Sequence, residues 1–164
     1  MTDERAPALP TELEEAIRAM LDPAPGGYVT GRVLGLGWAT VDTERSANEF
    51  RMGIAGSGPF EPGPDVESIG ARCAVGRPLR SSATQGTVRI VLVEPITEGR
   101  LAATLARRGE GPAAVWIAVE DPRPDLVVSR VSTGPFGPER LVIGGPLGGP
   151  HLLIVSGTAS TIER

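Results

Sequence analysis

The sequence predicts an α+β chain made of two similar halves, each with a strand, a helix and further strands. Three observations lead there. First, the run GEGPAAVWIAVED, Gly109 to Asp121, repeats in outline the earlier LGLGWATVD, Leu34 to Asp42. Laid 78 residues apart, Val119 falls on Val41, Trp116 on Trp38 and Glu120 on Asp42, the pattern of an internal repeat. Second, 22 Gly and 16 Pro in 164 residues favour short strands and many turns over a helical bundle. Third, GTVRIVLVE, Gly86 to Glu94, is a β-branched run closed by Pro95, with a helical pattern just beyond it.

Taken in order, residues 1–10 read as a flexible arm. Thr11 opens an amphipathic helix with Leu13, Ile17, Met20 and Leu21 on one face, and Thr11 with Glu14 forms a capping box. Asp22-Pro23 and Gly26-Gly27 end it. Tyr28 to Val41 is the first strand. Thr43 to Met52 is a short helix with Ala47 and Phe50 inward, and Asp42 caps it. Gly53 to Pro64 is loop, Ala71 to Val75 a strand, and Arg77 to Gln85 a polar connection. After the Gly86–Glu94 strand, Glu98 to Arg108 is a helix ending on Gly109. Gly111 to Glu120 is the repeat strand; Pro122 and Pro124 interrupt the helix expected after it. Leu126 to Val131 is ambiguous between strand and helix. Arg140–Ile143 and His151–Val155 are the last strands. The expected organisation is an arm and helix over 1–27, one domain over 28–157 with halves of about 28–95 and 96–157, and a tail over 158–164.

Composition narrows the chemistry. The 16 basic residues are all Arg, which excludes Schiff-base catalysis and the Gly-Lys-Thr phosphate loop. One Cys and one His leave no internal disulfide, Cys-rich zinc site or two-His metal site within the chain. A net charge of −4 without a basic block lacks the electrostatic footprint of nucleic-acid binding. No apolar run reaches membrane-spanning length, and the N-terminus has no secretory pattern, so a cytoplasmic location is expected.

The succession VRIVLVEP, a helix, then RRGEGPAAVWIAVED resembles methylmalonyl-CoA epimerases and their relatives in the vicinal oxygen chelate superfamily (glyoxalases, ring-cleaving dioxygenases, bleomycin-resistance proteins). LGLGWATVDTERSANEF is similar to that family's opening, and GP, a strand, a Gly-rich turn and HLLIVSG to its ending. The resemblance covers about residues 30–157, and its most specific part is Glu94-Pro95, helix, Gly109-Glu110-Gly111. It implies paired βαβββ modules forming a curved mixed sheet around a cavity, with the N-terminal helix added. The family places a metal ligand on each of four strands: His on the first, Gln or Glu on the fourth, His on the fifth, Glu on the last. The matching places here hold Leu36, Val91, Ala114 and Leu153, none of which can ligate a metal. The resemblance thus implies a chain without that chelate, and no cofactor is expected.

Strand alternation from those places sends Trp38, Thr40, Arg89, Val93, Trp116, Ala118, His151 and Val155 to the cavity as well. Trp38 and Trp116 are then either apolar walls for a ligand or plain core. Arg89 is either an anion anchor or a rim residue. His151 is either a general base, being the only group that titrates near neutrality unperturbed, or a solvated turn residue. Trp38, Thr40, Val91, Ala114, Trp116 and Leu153 form the expected substrate-binding set, and His151 and Arg89 the expected catalytic pair.

The resulting expectation is a metal-independent isomerase, cyclase or lyase acting on a bulky, mostly apolar substrate. The all-Arg, Gly- and Pro-rich composition associates it with bacterial natural-product metabolism. The alternative is a protein that sequesters a small molecule or antibiotic; epimerase activity on methylmalonyl-CoA is the weaker third. A small-molecule ligand and, from the resemblance, a homodimer are the expected partners.

Overall fold

Two strands of the repeat pair with each other at the centre of the sheet. The computed structural model describes residues 6–21, 31–82, 84, 86–120, 125–143 and 150–156. In chain order the elements are α1 (Thr11–Leu21), β1 (Arg32–Ala39), α2 (Thr43–Gly53), β2 (Glu61–Val66), a 3-10 turn (Glu67–Ile69), β3 (Ala71–Val75), β4 (Leu79–Ser81), β5 (Gly86–Pro95), α3 (Arg100–Arg108), β6 (Gly111–Val119), β7 (Ser132–Gly134), β8 (Gly137–Leu141) and β9 (His151–Ser156). The sheet order is β2-β3-β5-β1-β6-β9-β8-β7, with β4 also paired to β5. β1 and β6 are antiparallel, and each has a parallel outer neighbour, β5 and β9. The sheet curls into a nearly closed barrel. Its edges approach where a Cβ on Gly63 of β2 would lie 3.8 Å from Pro135 beside β7.

The curl gives the sheet two differently packed faces. Leu36, Ile90, Leu92, Val115, Ile117 and Ile154 face outward and join Leu13 and Ile17 of α1 and Ala47 and Phe50 of α2. Val91, Val93, Ala114, Trp116, Leu153 and Val155 face inward with Cys73 and Leu141 from the outer strands. Burial on both faces explains why β5 reads as an unbroken apolar run. Leu101 of α3 joins the inner cluster, so this helix caps one end of the barrel.

Several boundaries differ from expectation. The arm is ordered from Ala6, because its backbone pairs with β4: Leu9 N–H donates to Arg80 O at 2.8 Å, and Arg80 N–H to Pro7 O at 2.8 Å. The Glu14 carboxylate accepts from Ser82 N–H at 2.6 Å and from the Ser82 hydroxyl, which ties α1 to the end of β4. Glu61–Val66, placed in a loop by its prolines, is an edge strand bonded only to β3, where Pro62 and Pro64 are tolerated. The strand expected from Arg140 begins at Gly137 and forms a hairpin with Ser132–Gly134. Leu126–Val131 is neither helix nor strand apart from a bridge of Val128 to Val142. Asp121, Pro122, Pro124 and Tyr28 lie outside the described residues.

The Gly109-Glu110-Gly111 turn ties the two halves together. Gly109 ends α3 at φ 76°, its N–H donating to Leu105 O at 2.9 Å. The Glu110 carboxylate then accepts from Thr40 Oγ1 at 2.6 Å, Val41 N–H at 2.9 Å and Arg45 Nη2 at 2.6 Å, closing the end of β1 onto the start of α2. Arg45, then Thr40 and Val41, hold this carboxyl down at about 2, against an ordinary 4.5. A lowered folded value means that the stabilisation is complete above about pH 4.5 and is lost as pH falls toward 2. Glu110→Gln should therefore melt earlier than the parent at pH 7, with the gap narrowing as pH falls from 4.5. Melting temperatures of both proteins across that range test this; a gap that does not change with pH would remove the ionic contribution.

Candidate functional site

The inner face of β1 carries almost no side chain. Gly35 pairs with Arg89 on one side and Trp116 on the other; Gly37 pairs with Val91 and Ala114. The inward residues of β1 are thus Gly35, Gly37 and Ala39, not Leu36, Trp38 and Thr40. Inner positions are odd-numbered in β1 and even-numbered in β6, so an offset of 78 lays an inner face on an outer one. An offset of 79 superposes them, matching Gly35 with Ala114 and Gly37 with Trp116. Matching the two tryptophans is a one-residue slip, which turns every side chain of a strand over.

Trp38 accordingly packs on the outer face, edge-on to Phe50 of α2 with centroids 5.1 Å apart at 88°. Thr40, past the strand end, bonds to Ser46 Oγ at 2.7 Å and to Glu110, where it joins the halves and does not line a cavity. Val91, Ala114, Trp116 and Leu153 do point inward, but they meet packed interior, all wholly buried. A Cβ on Gly35 would lie 2.7 Å from the ring of Phe136, and one on Gly37 would lie 2.9 Å from Trp116 Cζ3. The two rings rest on bare backbone, 5.8 Å apart between centroids. Phe136 comes from the β7–β8 hairpin, where Gly134 pairs with Gly137 around Pro135-Phe136.

The resemblance sets four strand positions against the family's metal ligands. Glycine on β1, with Val91, Ala114 and Leu153, offers no side-chain N, O or S donor. Among the described residues no three His, Cys, Asp or Glu lie close enough to hold a metal.

One interior carboxyl escaped the sequence reading. Glu139 of β8 is 0% exposed, and its Oε1 accepts from Trp116 Nε1 at 3.0 Å. Burial pushes it up to about 7, offset in part by that bond. It lies just outside the strand expected over Arg140–Ile143, because β8 begins three residues earlier at Gly137, and Glu on a short strand is ordinarily solvated. Its alternation with inward Leu141 was the available signal. Cys73 also faces inward; it donates to Pro64 O, and burial raises its thiol to about 11.

His151 starts β9 opposite Ala114 and is buried under α3. Its Nε2 lies 2.9 Å from Thr104 Oγ1. The same hydroxyl lies 3.0 Å from Arg100 O, to which it can donate. Burial, then Arg100 and Arg108, lower the His151 pKa. The ring is thus packed beneath α3, away from the Arg89 cleft.

Arg89 stands apart from the interior. It lies in a cleft of about 550 Å³ at the end of the barrel away from α3. Ala6 and Pro7 of the arm, Gly58 and Pro59 after α2, and Gly76 and Arg77 after β3 form its walls. Arg89 Nη1 donates to Gly76 O at 3.0 Å. Neither Arg77 nor Arg89 is in an ion pair with a described residue. The structure thus separates the expected catalytic pair: His151 at the capped end, Arg89 at the open one.

The Glu139 environment gives a measurable pH effect. Its folded value lies above the unfolded 4.5, so the folded chain binds the extra proton between pH 4.5 and 7. Stability from this group is full below 4.5 and falls as pH rises through 7, by on the order of 3 kcal/mol once Glu139 ionises. Glu139→Gln should gain on the parent in denaturant midpoint between pH 5 and 8; parallel curves would place the Glu139 pKa outside that range.

No family model matches the sequence, and no curated protein matches it. Solved structures do resemble it. A variant of Streptomyces coelicolor methylmalonyl-CoA epimerase in complex with 2-nitronate-propionyl-CoA aligns with a TM-score of 0.61 at 19% identity, covering 79% of this chain and 99% of that one. A methylmalonyl-CoA epimerase in complex with methylmalonyl-CoA and NH4+ gives 0.61 at 21%, covering 80% and 97%. The Mycobacterium tuberculosis methylmalonyl-CoA epimerase gives 0.58 at 19%, covering 84% and 94%. The fold of this chain is therefore similar to that of the methylmalonyl-CoA epimerases.

Proposed function

We propose that this chain is a metal-independent, small-molecule-binding protein whose ligand presents an anionic group to Arg77 and Arg89 at the barrel mouth. The observation that carries the proposal is the cleft itself: two guanidinium groups at one concavity without carboxylate partners among the described residues. Guanidinium forks suit carboxylates and phosphates. Anionic acyl thioesters, such as those held by two of the similar epimerase structures, form one ligand class of this kind. Metal independence is supported by the lack of side-chain N, O or S donors at Gly35, Gly37, Val91, Ala114 and Leu153.

Sequestration is the reading that this site supports best, because Glu61 is the only carboxyl on the cleft wall among the described residues and His151 is elsewhere. An isomerase, cyclase or lyase is the second reading. It is favoured by Glu139, whose pKa of about 7 suits proton transfer.

A panel of carboxylates, phosphate esters and acyl-CoA thioesters, screened by melting temperature, should identify stabilising ligands. For such a ligand, Arg89→Ala should cost about 1.5–3 kcal/mol of binding, and Arg89→Lys should recover only part of it. Unchanged affinity in both Arg77→Ala and Arg89→Ala would end the proposal. Mass spectrometry of the ligand after long incubation separates the readings: unaltered ligand supports sequestration, a converted one supports the enzyme. EDTA should leave melting temperature and affinity unchanged; a stoichiometric transition metal found by elemental analysis would overturn metal independence.

A further inference from the structure

Glu139 is completely buried, yet its Oε2 has no hydrogen-bond partner among the described residues. Native interiors seldom leave such an atom unsatisfied, and each instance asks for a reason. The carboxyl lies so close over Gly134 that a Cβ there would fall 1.4 Å from Oε1. Gly134 therefore cannot be replaced while Glu139 keeps this position. Beside it, Trp116 gives its N–H to Oε1 and its ring to Phe136. Phe136 in turn covers Gly35, and Gly35 is the neighbour of Arg89 across the sheet. Across the inner face the order is Arg89, bare Gly35, Trp116, with the Phe136 ring over the gap.

That ring differs from its surroundings. Trp116 and Glu139 are fully buried, whereas Phe136 is half-buried and sits at the tip of a two-residue turn between glycines, with Gly137 at φ 113°. Moving the tip would lift the ring off Gly35. It would uncover a flat slot floored by Gly35, walled by Trp116 and ending at the free Glu139 oxygen.

We infer that Phe136 is a built-in stopper occupying a ligand slot. The occupant is a flat apolar ring carrying a hydrogen-bond donor for Glu139 Oε2 at one end and an anionic group for Arg89 at the other. Only the anionic end rests on the cleft reading above. The phenol ring is the smallest molecule with the inner two features, and 4-hydroxyphenylacetate carries all three.

Both probes are titrated at pH 8 against Phe136→Ala in a Trp38→Phe background, so that emission reports Trp116 alone. Phenol should quench Trp116 saturably and bind Phe136→Ala about tenfold more tightly than the parent, since the emptied slot no longer has to be opened. Adding Glu139→Leu should remove the preference for phenol over toluene while toluene still binds. A folded Phe136→Ala that binds neither probe, or a phenol preference that survives Glu139→Leu, overturns the inference. Where Phe136→Ala does not fold, as judged by circular dichroism, Phe136→Leu gives the same contrasts in a smaller slot. The carboxylate of 4-hydroxyphenylacetate should add about another tenfold, lost in Arg89→Gln. Phenol binding without that gain would leave the interior slot standing and overturn its Arg89 end, which separates the two failures.

Discussion

Gly35 and Gly37 leave the inner face of β1 without side chains, and the interior is built on that absence. Side chains from opposite walls must meet over the central strand pair if the barrel is to be filled. Here Trp116 and the Phe136 ring do so by lying on glycine backbone. A methyl group at either glycine would overlap a ring by about an ångström or less of van der Waals depth, which a packed interior accommodates badly. The position of Phe136 then fixes the β7–β8 turn, and the turn fixes Glu139 against Gly134. Filling a barrel in this way removes the wide apolar cavity that a bulky substrate would need. What it leaves open is the cleft beside Arg77 and Arg89.

Much of the frame was legible because local and tertiary requirements agree there. β5 is apolar on both faces, so its residues announce a central strand whatever the register. α3 has its Gly109 stop and its Arg107 and Arg108 at the C-terminal end. The parts that were not legible depend on parity or on partners far away in the chain. Glycine gives no hydrophobic mark, so the alternation of β1 had to be read from Leu34, Leu36 and Trp38, whose burial is outward or mixed. β2 contains prolines that argue against a strand unless its edge position is known. The β7–β8 hairpin is too short for periodicity, and with it went Phe136 and Glu139. The functional candidates depended on the same parity: Val91, Ala114, Trp116 and Leu153 pack in the inner cluster, while Leu36 and Trp38 pack in the outer one.

Carboxyl chemistry divides along the same lines. Glu110 lies at the surface among three donors and is held ionised, so it joins the β1 end, α2 and the turn after α3. Glu94 does similar work, accepting from Thr43 N–H at 3.0 Å and Arg72 Nε at 2.6 Å. Glu139 has one donor and no water-facing side, so it is held toward its neutral form. Identical side chains thus serve as two electrostatic clasps and one interior acid, the difference arising from the number of donors and access to solvent.

The pairing register also explains why one end of the barrel differs from the other. Arg89 opposes Gly35 on β5 as His151 opposes Ala114 on β9, and Gly35 and Ala114 are equivalent under the offset of 79. Arg89 and His151 are therefore equivalent positions in the two halves. A two-fold relating antiparallel β1 and β6 exchanges the ends of the barrel, so by symmetry each of these residues would guard an opening. The chain breaks the equivalence with α3, which joins the halves. Leu101 and Thr104 of this helix cover the His151 end, and the ring is held there neutral against a hydroxyl. At the Arg89 end the N-terminal arm forms a wall without a plug, because residues 6–9 bond to β4 beside the mouth. One connecting helix thereby assigns packing to one member of a symmetric pair and solvent access to the other.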